Sequence, residues 1–237
     1  VVDLPRTAGR MAAVPLGALA RWRRGKPMHP RGAVFRGVLE RFGGGPAWGV
    51  PFLDASGREE VVVRFSRGAG LPAPLPDVLG IAVRLGAGSA APVDLLLSST
   101  GRGALTRLVP VPRVDAATVH SSIMAYRTAA GPLRLAALPV ADDVPSEAGP
   151  LVRAAGERPV VFDLAAARGL GEWRTFGRLT VGRPAEPLDP DVRFDAVCHP
   201  PPGLAPDGPL ARFRAPAYAA ARQARSEVQA GSATSAG

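Results

Sequence analysis

Glycine and proline punctuate this chain too evenly for long helices. There are 28 glycines and 26 prolines in 237 residues, spread along the sequence rather than gathered into one tract. Helix interiors tolerate neither residue well, whereas short strands joined by turns make use of both. Between the breakers lie strand-length runs of β-branched and apolar residues. "GAVFRGVLERF" (32–42) alternates, "EEVVVRFS" (59–66) reads as a buried strand, and "LGIAVRL" (79–85) and "VDLLLSS" (93–99) follow it. "PVVFDL" (159–164), "TFGRLTVG" (175–182) and "VRFDAV" (192–197) supply three more. The stretches 67–77, 141–158 and 199–208 read as loops by their breakers. Helices are expected at 10–24, kinked near Pro15, and at 116–127, capped by Asp115. Another is expected in "RFRAPAYAAARQAR" (212–225), before a disordered tail at 229–237. Together these predict an α+β fold: about seven antiparallel strands closed into a barrel, with helices flanking it at both ends.

A hydrophobic content of 46% is enough to bury the core of one such domain. The expected division is an N-terminal arm at 1–24, one barrel domain at 25–228 and the tail at 229–237. The net charge of +9 comes almost wholly from arginine, with Lys26 the sole lysine. Genome composition alone can produce such a bias, so it is weak evidence for nucleic-acid binding. An aromatic content of 5% argues against base stacking, and there is no RNP signature, zinc-finger spacing or block of like charge. No nucleic-acid partner is expected. Cys198 is the only cysteine, so the chain forms no internal disulfide. "MAAVPLGALA" (11–20) is too short to span a bilayer. It has the look of a signal-peptide core, but "RWRRGKPMHP" follows at once, which favours a plain N-terminal helix. No transmembrane segment is expected, and the expected location is cytoplasmic.

Several signals of chemistry fail. "RGAGLPAPLP" lacks the GK[ST] of a phosphate loop, "CHPPP" offers no second pair of zinc ligands, and there is no G-x-S-x-G elbow. What remains is a set of polar residues on strands. Arg64 and Ser66 lie two apart and point to one face. A buried arginine there needs an anionic partner. His29 stands just before a strand, three residues after Lys26. Tyr218, one of only two tyrosines, shares a helix stripe with Arg214 and Arg225. Taken singly, His29 reads as a turn or core histidine, Ser66 as a strand-end hydroxyl and Tyr218 as a helix residue packing into the core.

Their order and spacing resemble the catalase family of haem proteins. "MHPRGAVFRG" is similar to the run that carries the family's distal histidine. "VVVRFSRGAGLPAPLPDVLGIAVRL" and "DLLLSST" follow in family order, and "FDAVCHPPPGLAPDGPLARFRAPAYAAARQAR" resembles its proximal segment. The likeness covers residues 20–105 and 173–226. It implies haem b as cofactor, with Tyr218 as the phenolate ligand of the iron. Arg214, one turn earlier, would hold that phenolate ionised. It implies propionate contacts for Arg64, Arg225 and Lys26, the last without the bidentate fork of an arginine. It casts His29 as the residue that moves a proton between the two peroxide oxygens, and Ser66 as the hydroxyl that fixes its tautomer.

The chain also departs from the pattern. Ser98 stands where the family has a distal asparagine, and the phenylalanines at the haem edge are missing from "TGRGALTRL". The resemblance extends neither to the long wrapping segment nor to the C-terminal domain of full-length catalases. The resemblance is therefore to a minimal core, like the small catalase-related peroxidases and allene oxide synthases. It implies use of hydrogen peroxide or an organic hydroperoxide together with a reductant, with peroxidase favoured over fast catalase activity. A homo-oligomer is compatible with it. Two other readings stay open: rearrangement of a lipid hydroperoxide, and a haem-free relic acting as a binding protein.

Overall fold

Three strands of equal hydrophobic logic open the described part of the chain. β1 (Arg31–Arg41), β2 (Gly57–Arg67) and β3 (Leu79–Leu85) pair antiparallel in sequence order, and β4 (Val93–Ser99) extends them. In this computed structural model the described residues are 29–207, apart from 44 and 46. Val61, Val63, Phe65, Ile81, Val83, Leu95 and Leu97 are each nearly or wholly buried on one face of those strands. Every second residue of these strands is thus turned to the same side by the pleat.

The sheet continues through β5 (His120–Ser121) and β7 (Gly131–Pro139), with β6 (Ala125–Thr128) beside β7. β8 (Val160–Arg168) and β9 (Arg174–Pro184) form a hairpin. β9 pairs with β1 and β8 with β7, so eight strands close in the order β7-β5-β4-β3-β2-β1-β9-β8. β6 hangs from β7 outside that ring, followed by the short β10 (Ala205–Asp207). Closure leaves the ring without an open edge and encloses Phe35, Leu39, Leu135, Phe162, Leu164 and Leu179, none more than 1% exposed. Full burial of each such side chain contributes about 1.5–3 kcal/mol. Two α-helices are described, α1 (Pro51–Asp54) and α2 (Ala148–Glu157), beside one 3-10 turn at Thr106–Leu108. Among the described residues no helix is long and apolar enough to cross a membrane. The barrel lies within one compact unit, Met28–Pro206.

The predicted antiparallel barrel is present, and the first four predicted strands appear within two residues of their expected bounds. Three expectations are corrected. The helix at 116–127 is replaced by β5, β6 and the turn between them. Asp115 does accept the amide of Ala117, at 2.5 Å, but it also accepts that of Val144, so its carboxylate ties two loops instead of capping a helix. The hydroxyls of Ser121 and Ser122 bond backbone groups close by, an alternative to helical hydrogen bonding. The strand at 192–197 is a turn, in which Asp195 accepts the amides of Val197 and Cys198 while its own amide goes to Asp94. The loops expected at 141–158 and 199–208 contain α2 and β10 respectively. The N-terminal helix at 10–24, the helix at 212–225 and the tail lie outside the described residues.

Candidate active site

One row of small residues crosses the outer face of the barrel. Gly32 faces Ser66, Ser66 faces Gly80, Gly80 faces Ser98, and Ser98 faces Ser121. Direct partners in adjacent strands point to the same side of the sheet. A row this shallow leaves room above it, and His29 occupies part of that room. A Cβ on Gly80 would lie 2.9 Å from His29 Cε1 and 3.2 Å from its Nδ1, so the imidazole rests directly over the glycine.

Backbone and side-chain contacts hold the histidine there. Its amide donates to Gly68 O at 2.8 Å. Its carbonyl accepts from Arg64 Nη2 at 3.1 Å, and its Nδ1 meets Ser66 Oγ at 2.9 Å. The backbone of His29 is left-handed, with φ 56°, a conformation uncommon outside glycine and asparagine that here needs the surrounding bonds to hold it. Ser66 Oγ also lies 3.5 Å from Gly80 O. When the hydroxyl donates to that carbonyl, it accepts from Nδ1–H of His29. The imidazole is then the tautomer whose Nε2 accepts a proton.

Arg64 is 5% exposed, and its guanidinium lies over Gly32, where a Cβ would fall 2.7 Å from Nη2. It grips Asp189 through Nε at 2.8 Å and Nη2 at 2.9 Å, a bidentate ion pair. The anionic partner expected for this arginine is therefore in the chain, 125 residues away. Asp189 lies in a segment laced to β1, where Val34 bonds to Leu188 O at 2.7 Å and accepts from Ala185 N at 2.8 Å. A single arginine thus joins that segment to the backbone of His29.

Of the predicted site residues, His29, Ser66 and Arg64 meet, with Ser98 two strands along the row from Ser66, beyond Gly80. Lys26, Arg214, Tyr218 and Arg225 lie outside the described residues. Sequence reasoning missed Asp189, whose distance along the chain gave no signal. It also passed over Gly80, although a glycine inside the apolar run "LGIAVRL" marks a close approach of some other group.

Gly80 carries a direct prediction. Gly80→Ala should leave the barrel folded and push His29 off Ser66, because the added methyl would sit 2.9 Å from both Ser66 Oγ and His29 Cε1. The check is the His29 imidazole resonance by NMR alongside the thermal midpoint. A resonance unmoved by the substitution would remove the cradle from the account.

The fold is that of the catalase-like β-barrel. The chain superposes on catalase A from Saccharomyces cerevisiae with a TM-score of 0.61 at 11% identity, covering 88% of this chain and 63% of that one. A fungal catalase matches with a TM-score of 0.56 at 12% identity, covering 88% and 61%, and a bacterial catalase with 0.55 at 13%, covering 88% and 59%. The chain thus spans about three fifths of the length of these structures. No known family profile and no curated protein sequence matches it.

Proposed function

We propose that this chain is a haem protein that consumes hydrogen peroxide or an organic hydroperoxide, oxidising a reductant in preference to releasing oxygen. The observation that carries the reading is the His29–Ser66 pair, 2.9 Å apart and seated over Gly80 on the outer face of a catalase-like barrel. The described residues fit the flat face of a haem in two ways. The row Gly32–Ser66–Gly80–Ser98 is shallow, and the adjoining row on that face, Arg64–Ala82–Leu96, adds two apolar side chains that are only half-buried, those of Ala82 and Leu96. On this reading Tyr218 would hold the iron, Arg214 would keep its phenol ionised, and Arg225 and Lys26 would meet the propionates. Arg64 differs from the family expectation, because its fork already holds Asp189. Its part in the reading is to fix His29. The proposed haem-binding domain is residues 25–228, between the arm at 1–24 and the tail at 229–237.

Haem, when bound, supplies an iron that takes oxidising equivalents from a peroxide and passes them to a donor. The chain's own part is proton movement. His29 Nε2 takes the proton of the incoming hydroperoxide and returns it to the departing oxygen, while Ser66 keeps Nδ1 protonated and the ring in plane. Ser98 decides the balance of outcomes. A serine hydroxyl rotates and reaches less far than an asparagine amide, so it places a second peroxide poorly, and misplacement of about 1 Å can cost on the order of 10²-fold in rate. That favours an external donor as the second substrate.

The test is titration with hemin, followed by absorbance. The wild type is expected to show a Soret band with the charge-transfer absorption of a ferric phenolate. Tyr218→Phe should lose that absorption or fail to retain hemin. No Soret band in the wild type would leave the chain a catalase-fold binding protein, and an unchanged spectrum in the variant would remove Tyr218 as ligand.

A further inference from the structure

A second cationic site lies at the end of the barrel where β1 and β2 meet α2. A cavity of about 210 Å³ opens there, and Arg67 is its most unusual wall. Arg67 is 5% exposed, yet its guanidinium meets only neutral oxygens: Leu71 O from Nε at 2.7 Å, Leu75 O from Nη2 and Ser146 Oγ from Nη1. Among the described residues no carboxylate pairs with it, in contrast to Arg64 and Arg84, each of which grips an aspartate through two nitrogens. The nearby acids are engaged elsewhere. Asp77 accepts the amides of Ala69, Leu71 and Val78 at 2.7 to 3.1 Å, and Glu147 Oε1 accepts that of Ala73 at 2.7 Å. Burial of a guanidinium without a counter-ion is costly, and its five donors are more than the three neutral acceptors use.

The rest of the cavity wall supplies what a guest anion would need. Arg31, exposed, stands opposite Arg67 in the β1–β2 register. Ala148 and Gly149 open the first turn of the ten-residue helix α2, and no side chain caps it. Pro150 follows, so the amides of these two residues are the donors of that turn. Two guanidiniums and a helix N-terminus outweigh the one carboxylate on the wall, that of Glu147. Phe65, Leu71 and Leu151 make part of the cavity apolar, and Gly32, Ala33 and Ser66 complete its wall on the side of the His29 site.

We propose that this cavity binds a phosphate group, free or as the monoester of a small apolar moiety, with Arg67 and Arg31 as the forks that grip it. The proposal does not rest on haem binding. It is tested on the full chain without haem, by thermal unfolding and calorimetric titration with inorganic phosphate and with phenyl phosphate, against chloride at matched ionic strength. Phosphate at a hundredfold excess over its dissociation constant should raise the midpoint by about 5 °C or more. Tighter binding of phenyl phosphate would assign the site to monoesters, and equal binding to the free ion. Arg31→Ala, at an exposed position that should not disturb folding, is expected to weaken binding about tenfold. Glu147→Gln should tighten it, since the amide keeps the bond to Ala73 and removes the opposing charge. No stabilisation beyond that of chloride, or equal binding by the wild type and Arg31→Ala, would overturn the proposal.

Discussion

His29→Asn is expected to slow the reaction of the haem-loaded protein with hydrogen peroxide by about 10²–10⁴-fold, the contribution of a well-placed acid–base group. Asparagine is the informative replacement. It tolerates the left-handed backbone found at this position, φ 56°, better than alanine, so the turn before β1 should survive. Its amide offers no basic nitrogen, so nothing remains to carry a proton from one peroxide oxygen to the other. Hemin affinity should change little, since the proposed iron ligand lies elsewhere. The measurement is stopped-flow absorbance after mixing with peroxide, beside a hemin titration of the same variant. A peroxide rate equal to that of the wild type would reduce His29 to a structural turn residue. A lost Soret band would instead show that the distal residue helps retain the cofactor.

The second large effect concerns a different histidine. His120 is fully buried inside the barrel, edge-on to Phe162 with ring centroids 6.1 Å apart. Its Nδ1 donates to Thr118 O at 2.9 Å, and its Nε2 is buried without a hydrogen-bond partner. Burial disfavours the imidazolium and pushes the pKa down to about 4 from an ordinary 6.5, the bond to Thr118 offsetting only part of that. The unfolded chain therefore binds more protons than the native one between those two values. Stability is fully present above pH 6.5, falls as the pH drops towards 4, and levels off below it. The span corresponds to about 3 kcal/mol, at 1.36 kcal/mol for each pH unit. Urea unfolding at pH 7, 5.5 and 4.5 should show the midpoint falling through this window. His120→Leu should flatten the fall, because it removes the titrating group while every carboxylate stays. Parallel pH dependence in the two proteins would mean that carboxylates alone govern acid unfolding.

Strands were legible wherever local pattern and burial agree. Val61, Val62, Val63 and Phe65 form a β-branched and aromatic run of strand length, and the pleat buries Val61, Val63 and Phe65 on one face whatever the strand pairs with. β5 was not legible. His120 and Ser121 are two residues among helix-compatible ones, and they become a strand only because β4 and β7 stand on either side. "VRFDAV" failed in the opposite sense. It has strand composition, but Asp94, buried in β4, takes the Asp195 amide, and Arg84 sits over Phe194 with its guanidinium carbon 5.2 Å from the ring centroid. Side chains from distant strands spend the groups that a ladder would have used.

By itself the sequence determined the antiparallel sheet, its first four strands and the shared face of Arg64 and Ser66, since each follows from the period of two along a single strand; Ser98 joins that face only through the registers of β2, β3 and β4. It also placed His29 at the mouth of β1. Closure of the ring was an expectation that only the β7–β8 and β1–β9 registers could deliver. The seat of His29 over Gly80 and the choice of Asp189 as the partner of Arg64 belong to the tertiary structure alone. Both depend on which strands become neighbours and on which loop is laid against them. Such contacts join residues as much as 125 positions apart, and no local period records a contact of that kind.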